Sequence, residues 1–349
     1  MNGEPQVIML LQALFNRFIT ATTATISFDQ RRCLRARLNT NECRVCLDVC
    51  PSRALSLSNQ TVQFDNSRCT SCLRCLSVCP NDALTDSIDL GHLLHQLAHK
   101  SGIIISCDQS KTHDNQLTIP CIGLLSEPLL AAMNAVSQGT FHLDVEHCPR
   151  CRNQHTLCNL HQINQKLQKQ SKDRGGEFRL LYWTEQDRKK KDHSLNERRV
   201  FLSFTGKSIA RNSKKAVRQA TNNPEATPPD QKSTLKQPTK IQKVLRTAMD
   251  LLPPDRTGER DILRSYFFTL QAAPHCDCCP RCSGMCPTGA LKRTTENGSR
   301  QLNFTSSSCS GCGLCIAFCK KKALQIHQGY ANDPRLTVQL IQQTAPPTA

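Results

Sequence analysis

The sequence predicts two small cysteine-bound modules, one toward each end, flanking a central α/β domain with a small parallel sheet. Three observations predict it. There are three copies of Cys-x-x-Cys-x-x-Cys-x-x-x-Cys and most of a fourth. A Cys-x-x-x-Ala-Leu repeat closes each copy. Strand-like and helix-like segments alternate between Gly102 and Trp183. The intact copies are Cys69-Cys72-Cys75-Cys79, Cys276-Cys279-Cys282-Cys286 and Cys309-Cys312-Cys315-Cys319. The damaged copy is Cys43-Cys46-Cys50, with Thr40 where its first cysteine would stand.

In chain order, residues 1–30 come first. Val7, Ile8, Leu11, Leu14, Phe15 and Phe18 recur at helical spacing, which predicts an amphipathic helix. Its polar face offers only Arg17 as a cation, a poor membrane anchor. Packing against the first module is the expectation.

Residues 31–86 form that first module, and its chemistry follows from the spacing. Three thiolates on one tight loop grip three corners of an iron–sulfur cube, and the trailing cysteine reaches a neighbouring cube. One set is then Cys69, Cys72, Cys75 and Cys50. The other is Cys43, Cys46 and Cys79, completed by Cys33 from beyond the insert Leu34 to Glu42. If Cys33 does not reach, that centre is [3Fe–4S] or absent. The same rule assigns Cys276, Cys279, Cys282 and Cys319 to one cube of the second module, residues 273–330. Cys309, Cys312, Cys315 and Cys286 take the other, making four [4Fe–4S] clusters in all. Cys278 has no place in the motif and reads as a spare thiol, or as a substitute for Cys276 or Cys279.

The repeat runs Cys50 to Ala54-Leu55, Cys79 to Ala83-Leu84, Cys286 to Ala290-Leu291 and Cys319 to Ala323-Leu324. Pro51, Pro80 and Pro287 follow three of these cysteines, suiting a first helical turn, and Lys320 breaks the pattern. On these residues, 33–85 and 276–325 each resemble a bacterial two-cluster ferredoxin module. The resemblance implies an α+β ferredoxin-like dicluster fold at both ends.

Residues 87–184 read differently. Asp86 to His99 predicts a helix with Leu90, Leu93, Leu94 and Leu97 inward; His92, His95 and His99 share a face but are assigned no metal. Strand signals at Ile103–Ile105, Leu117–Pro120, Phe141–Val145 and Phe178–Tyr182 alternate with helices over Ser126–Ser137 and Asn153–Lys169. That alternation predicts a parallel sheet. Cys107, Cys121, Cys148 and Cys151 fall after successive strands, at the edge where ligands collect. Ser106-Cys107, Pro120-Cys121-Ile122-Gly123, Gly139 and His147-Cys148 are similar to the delta subunit of methyl-viologen-reducing hydrogenase. They also resemble the iron–sulfur domain linked to heterodisulfide reductases. The resemblance implies a [2Fe–2S] cluster on those four cysteines. The close spacing of Cys148 and Cys151 departs from that family, and leaves Cys158 as an alternative ligand. Two other readings stay open: zinc on Cys148, Cys151, Cys158 and His147 or His155, or no metal, with Cys107 and Cys121 as buried thiols.

Residues 185–240 carry much of the net charge of +17, including Lys189-Lys190-Lys191 and Lys214-Lys215. The stretch Asn222 to Pro238 reads as a flexible linker; a docking site for an acidic protein or for nucleic acid are the other readings. Residues 241–272 predict helices, with stripes at Ile241, Val244, Leu245, Met249 and Leu252, and at Ile262, Leu263, Tyr266, Phe267 and Leu270. Their expected role is to cover the C-terminal clusters. Residues 331–349 read as a tail.

Aromatic content of 5% argues against large apolar cores, so metal–thiolate bonds are expected to hold the modules together. The 22 cysteines are spaced as metal ligands rather than disulfides. No apolar run follows Arg31-Arg32, and none is long enough to cross a bilayer, so a cytoplasmic setting is expected. The sequence lacks Gly-x-Gly-x-x-Gly, a phosphate loop and a Ser/His/Asp set. The function expected is an electron-transfer subunit serving a redox partner within a larger oxidoreductase complex, of hydrogenase, heterodisulfide reductase-like or formate dehydrogenase type. Neither nucleic acid nor more than peripheral membrane contact is expected. The alternatives are a redox enzyme acting at the central cysteines, or an iron–sulfur or zinc regulator that binds nucleic acid.

Overall fold

Short elements strung between cysteine loops build the N-terminal part of the chain. The computed structural model describes residues 26–59, 61–110, 116–137, 141–174, 178, 180–183, 236–296 and 298–343. The stripe from Val7 to Phe18 and nearly all of the basic 185–240 stretch lie outside these residues. Strand β1 (Ser27–Phe28) opens the module, so the 1–30 segment is extended there rather than helical. Helices α1 (Leu34–Arg37) and α2 (Val45–Asp48) follow, then the hairpin of β2 (Leu55–Ser58) and β3 (Thr61–Phe64). Helix α3 (Arg74–Val78) packs on α2, and β4 (Leu84–Thr85) returns to pair antiparallel with β1.

The central domain begins with α4 (Leu90–His99), capped by Asp89, whose carboxylate accepts from the His92 N–H at 3.0 Å. Strands β5 (Ile104–Cys107), β6 (Gln116–Ile119), β7 (Phe141–Asp144) and β8 (Leu180–Trp183) form an all-parallel sheet in the order β6-β5-β7-β8. Helices α5 (Glu127–Val136) and α6 (His155–Asp173) fill the connections. The strand order reverses between β5 and β7, the switch point where an open α/β sheet leaves a crevice at its carboxyl edge.

Helix α7 (Lys240–Leu251) starts at a capping box. The Gln242 N–H donates to Thr239 Oγ1 at 3.3 Å, and Thr239 N–H to Gln242 Oε1 at 2.6 Å. Its apolar face packs on α4 and α5, and α8 (Thr257–Arg264) packs on α5 and α6. This corrects the expectation that the 241–272 stripe covers the C-terminal clusters. Val244, Leu245, Ala248, Met249, Ile262, Leu263 and Phe267 all join the core of the first module and central sheet. That core is continuous and large despite few aromatic residues, because Leu, Ile and Ala fill it; Leu94, Ile105, Leu129, Leu130 and Ala132 are fully buried.

The predicted second helical stripe also ends early. Beyond Arg264 the chain extends into β9 (Phe268–Ala272). Helix α9 (Arg281–Met285), β10 (Leu291–Glu296), β11 (Ser299–Thr305), α10 (Leu314–Ala317) and β12 (Leu324–Gln328) follow. β12 pairs antiparallel with β9, β10 with β11, and α9 packs on α10, repeating the element order of residues 27–85. The residues read as a tail add a strand: β13 (Thr337–Gln343) pairs with β11. The smaller core here joins Leu270, Ala290, Leu291, Leu302, Phe304, Ala323 and Leu324 to four cysteines.

Candidate metal centres

The same local backbone recurs at each cysteine loop, and it explains why the sequence carries those neighbours. Cys69 follows a 3₁₀ turn over Asn66–Arg68 that Asp65 caps from the side, and Cys309 follows a similar turn over Ser306–Ser308. Cys33 stands in the same place. A 3₁₀ turn over Gln30–Arg32 is capped by Asp29, whose carboxylate accepts from the Arg31 N–H at 2.9 Å. Cys33 has φ −69° and ψ 129°, against −71° and 128° at Cys69. The chain reads Asp29-x-x-x-Cys33 and Asp65-x-x-x-Cys69, a signal that the search for Cys-x-x-Cys passes over.

Left-handed corners aim the loop amides inward. Ser71 and Gly311 have φ of 53° and 68°, and each N–H donates to the sulfur two residues back, Cys69 at 3.4 Å and Cys309 at 3.5 Å. A side chain at Gly311 would also strike the Phe268 ring, so glycine is required twice over. Cys278, at φ 51°, holds the same corner of its loop; its sulfur is buried 3.9 Å from the Ile341 carbonyl of β13. It serves as a turn residue rather than standing where a ligand would.

The closing Cys-x-x-x-Ala turns share a second device. Arg53, Asp82, Gly289 and Lys322, each just before the alanine, are all left-handed. That corner turns the alanine N–H back onto the cysteine. Ala54 donates to Cys50 Sγ at 3.3 Å, Ala83 to Cys79 at 3.2 Å and Ala323 to Cys319 at 3.3 Å. Such N–H···S bonds stabilise a thiolate and tune a centre bound to it. The alanines and the leucines after them are buried.

Electrostatics shows the thiols crowded together, within the predicted sets and between neighbouring ones. Burial, then the charges of Cys79, Cys43 and Cys33, pushes Cys46 up to about 12. Burial raises Cys75 too, with Cys72, Cys69, Cys46 and Cys50 adding to it. In the C-terminal part burial, with Cys279, Cys276 and Cys319 beside it, pushes Cys282 up to about 11. Burial and then Cys312, Cys286 and Cys282 push Cys315 up to about 12. Ionised together, thiols this close and this dry would repel one another; a positively charged inorganic core would offset that repulsion and release their protons as it bound.

The central cysteines line a cleft of ≈ 400 Å³ at the switch point, with Cys107, Cys121, Cys148 and Cys151 all in its wall. Burial, with Cys107, Cys121 and Cys151 next, pushes Cys148 up to about 12. The Asn153 N–H donates to Cys151 Sγ at 3.4 Å, the bond seen at Cys69 and Cys309. Cys158 is exposed on α6 and outside the cleft wall, so the alternative ligand is not brought to the site. Among the described residues, no three His, Cys, Asp or Glu side chains converge closely enough for a single metal ion. Zinc draws its donors to within about 2.3 Å of one point. Thiols set around a larger core need no such convergence, and each predicted set has at least one sulfur that accepts a backbone N–H. The donor chemistry, clustered thiols with inward N–H groups, fits iron–sulfur clusters.

A family model of the 4Fe-4S dicluster domain matches residues 39–83. An iron–sulfur electron-transfer module with at least one [4Fe–4S] cluster thus occupies this stretch. The match takes in seven of the predicted ligands, from Cys43 to Cys79, and leaves Cys33 outside. No curated protein and no solved structure matches the chain. Among the described residues no helix is long and apolar enough to cross a membrane.

Proposed function

We propose that the whole chain is a multi-centre electron carrier, with four [4Fe–4S] clusters and one [2Fe–2S] cluster. Cys33, Cys43, Cys46 and Cys79 hold one cube, and Cys50, Cys69, Cys72 and Cys75 the next. Cys276, Cys279, Cys282 and Cys319 hold a third, and Cys286, Cys309, Cys312 and Cys315 a fourth. Cys107, Cys121, Cys148 and Cys151 hold the smaller centre. The observation that carries this is the repeat of one backbone, with its left-handed corners and returning alanine amides, in both halves of the chain. When bound, each cluster supplies one-electron storage with little rearrangement of its ligands. The protein's part is to fix the sulfurs on short loops, exclude water and aim amides at them.

The chain then acts as a subunit between a catalytic oxidoreductase and a second redox carrier, in a hydrogenase, heterodisulfide reductase-like or formate dehydrogenase setting. Exposed Lys320, Lys321 and Lys322 beside Cys319, and Arg281 beside Cys282, give the C-terminal set a basic rim suited to an acidic partner. Reductive titration under anaerobic conditions tests the reading: about five electrons per chain are expected, one per centre. Uptake of two or fewer would contradict it. The open central cleft favours a second reading, a redox enzyme acting at Cys107–Cys151. Turnover of a small substrate by the isolated holoprotein with an artificial donor would support that one instead.

A further inference from the structure

We propose that the five cysteine sets lie in single file: 276/279/282/319, 286/309/312/315, 33/43/46/79, 50/69/72/75 and 107/121/148/151. The chain is then one unbranched conductor, with one end at the C-terminal set and the other in the central cleft. This rests on the reading that all five sets are filled.

Each step of the file is a contact between named residues. Within a module the two sets are interleaved, because Cys50 and Cys79 each follow the loop of one set yet belong to the other. Helices α2 and α3, like α9 and α10, press the two loops together. Between the modules, the joint falls beside the two inner sets. Ser310 Oγ, next to Cys309, bonds Asn81 Oδ1 at 2.8 Å, and Asn81 is two residues past Cys79 and 1% exposed. Arg32, next to Cys33, donates to the Asn81 carbonyl at 2.6 Å. Arg37 on α1 donates to the Met285 carbonyl at 3.1 Å, and Met285 precedes Cys286.

The last step joins the first module to the central cleft. Thr70 and Ser71, between Cys69 and Cys72, form part of the cleft wall. Asn153 Nδ2 donates to the Thr70 carbonyl at 3.0 Å and lies 3.9 Å from Cys121 Sγ. Arg74 reaches Asn159 on α6 at 3.1 Å. Gly123, two residues past Cys121, lies so close that a Cβ there would overlap the Cys72 carbonyl oxygen. Glycine at this point is what lets the two cysteine loops touch. Electron tunnelling decays exponentially with distance, so these contacts decide the route.

Pulsed EPR on the anaerobically loaded full chain tests the order, because a centre relaxes faster when its neighbour is paramagnetic. The signal of the reduced central centre is followed in the parent, Cys72→Ala, Gly123→Ala and Cys312→Ala proteins, each with its iron counted. The order predicts a several-fold slower central relaxation in Cys72→Ala and a smaller slowing in Gly123→Ala with iron retained. It predicts no change in Cys312→Ala. Adding Cys312→Ala to Cys72→Ala should then slow the remaining N-terminal centre. The file is overturned if Cys312→Ala slows the central signal as much as Cys72→Ala, if Cys72→Ala leaves it unchanged, or if the added Cys312→Ala has no effect. An iron count with nothing at the central set overturns the terminus together with the five-centre reading, before any relaxation is measured.

Discussion

Under the proposed assignment, Cys33 is the single residue that completes a centre from outside its motif. The capped 3₁₀ turn before it is the turn before Cys69, and the nine-residue stretch from Leu34 to Glu42 loops out between Cys33 and Cys43. Cys33→Ser should therefore cost the chain between about one and four irons, leaving a [3Fe–4S] centre or an empty set, while the other sets stay full. Full iron retention in that variant would remove Cys33 from the site. A second residue-scale prediction concerns Lys322, exposed and held at φ 52°. Lys322→Gly should stabilise the holoprotein by about 0.5–1 kcal/mol, the left-handed strain less glycine's extra freedom when unfolded. Chemical denaturation measures it, and a loss of stability would show that the Lys322 side chain matters more than its backbone.

At the scale of elements, the periodicity of the central domain was legible because its strands are short apolar runs followed by turns and its helices bury Leu and Ala at regular spacing. Ile104–Cys107, Gln116–Ile119 and Glu127–Val136 fall within a residue or two of the expected segments. The sheet order was not legible, since the β5–β7 pairing joins segments far apart in sequence, and that pairing makes the crevice. Phe268–Ala272 was misread for a physical reason. Tyr266, Phe267 and Leu270 extend the helical spacing of Ile262 and Leu263, but the strand is imposed by its partner β12. Thr337–Gln343 likewise gains its structure from β11, its own sequence being mostly polar. Helix α7 locks the first module to the central sheet, with Lys240 bound to Asp82 and Asp86 beneath a buried capping box. Thr239→Ala should cost about 1 kcal/mol of stability. An unchanged denaturation midpoint would mean that tertiary packing alone sets the start of α7.

For the whole molecule, the two cores differ in what holds them. The N-terminal and central core is rich in Leu and Ile, whereas the C-terminal core counts Cys276, Cys278, Cys282 and Cys286 among its few buried residues. Stripping iron with a chelator should therefore melt β9–β13 first and leave the β5–β8 sheet protected, as hydrogen exchange would report. Equal loss of protection in both would mean that the cores fold as one. The joint at Asn81 and Ser310 was invisible in the sequence, because neither residue belongs to a motif and only the fold brings them together.

Metal and acid-labile sulfide per chain, counted in the anaerobically purified protein, test the central claim most directly. The account predicts about sixteen irons from the four cubes plus about two from the central centre, with as many sulfides. Zinc in place of iron, or iron without sulfide, would contradict it.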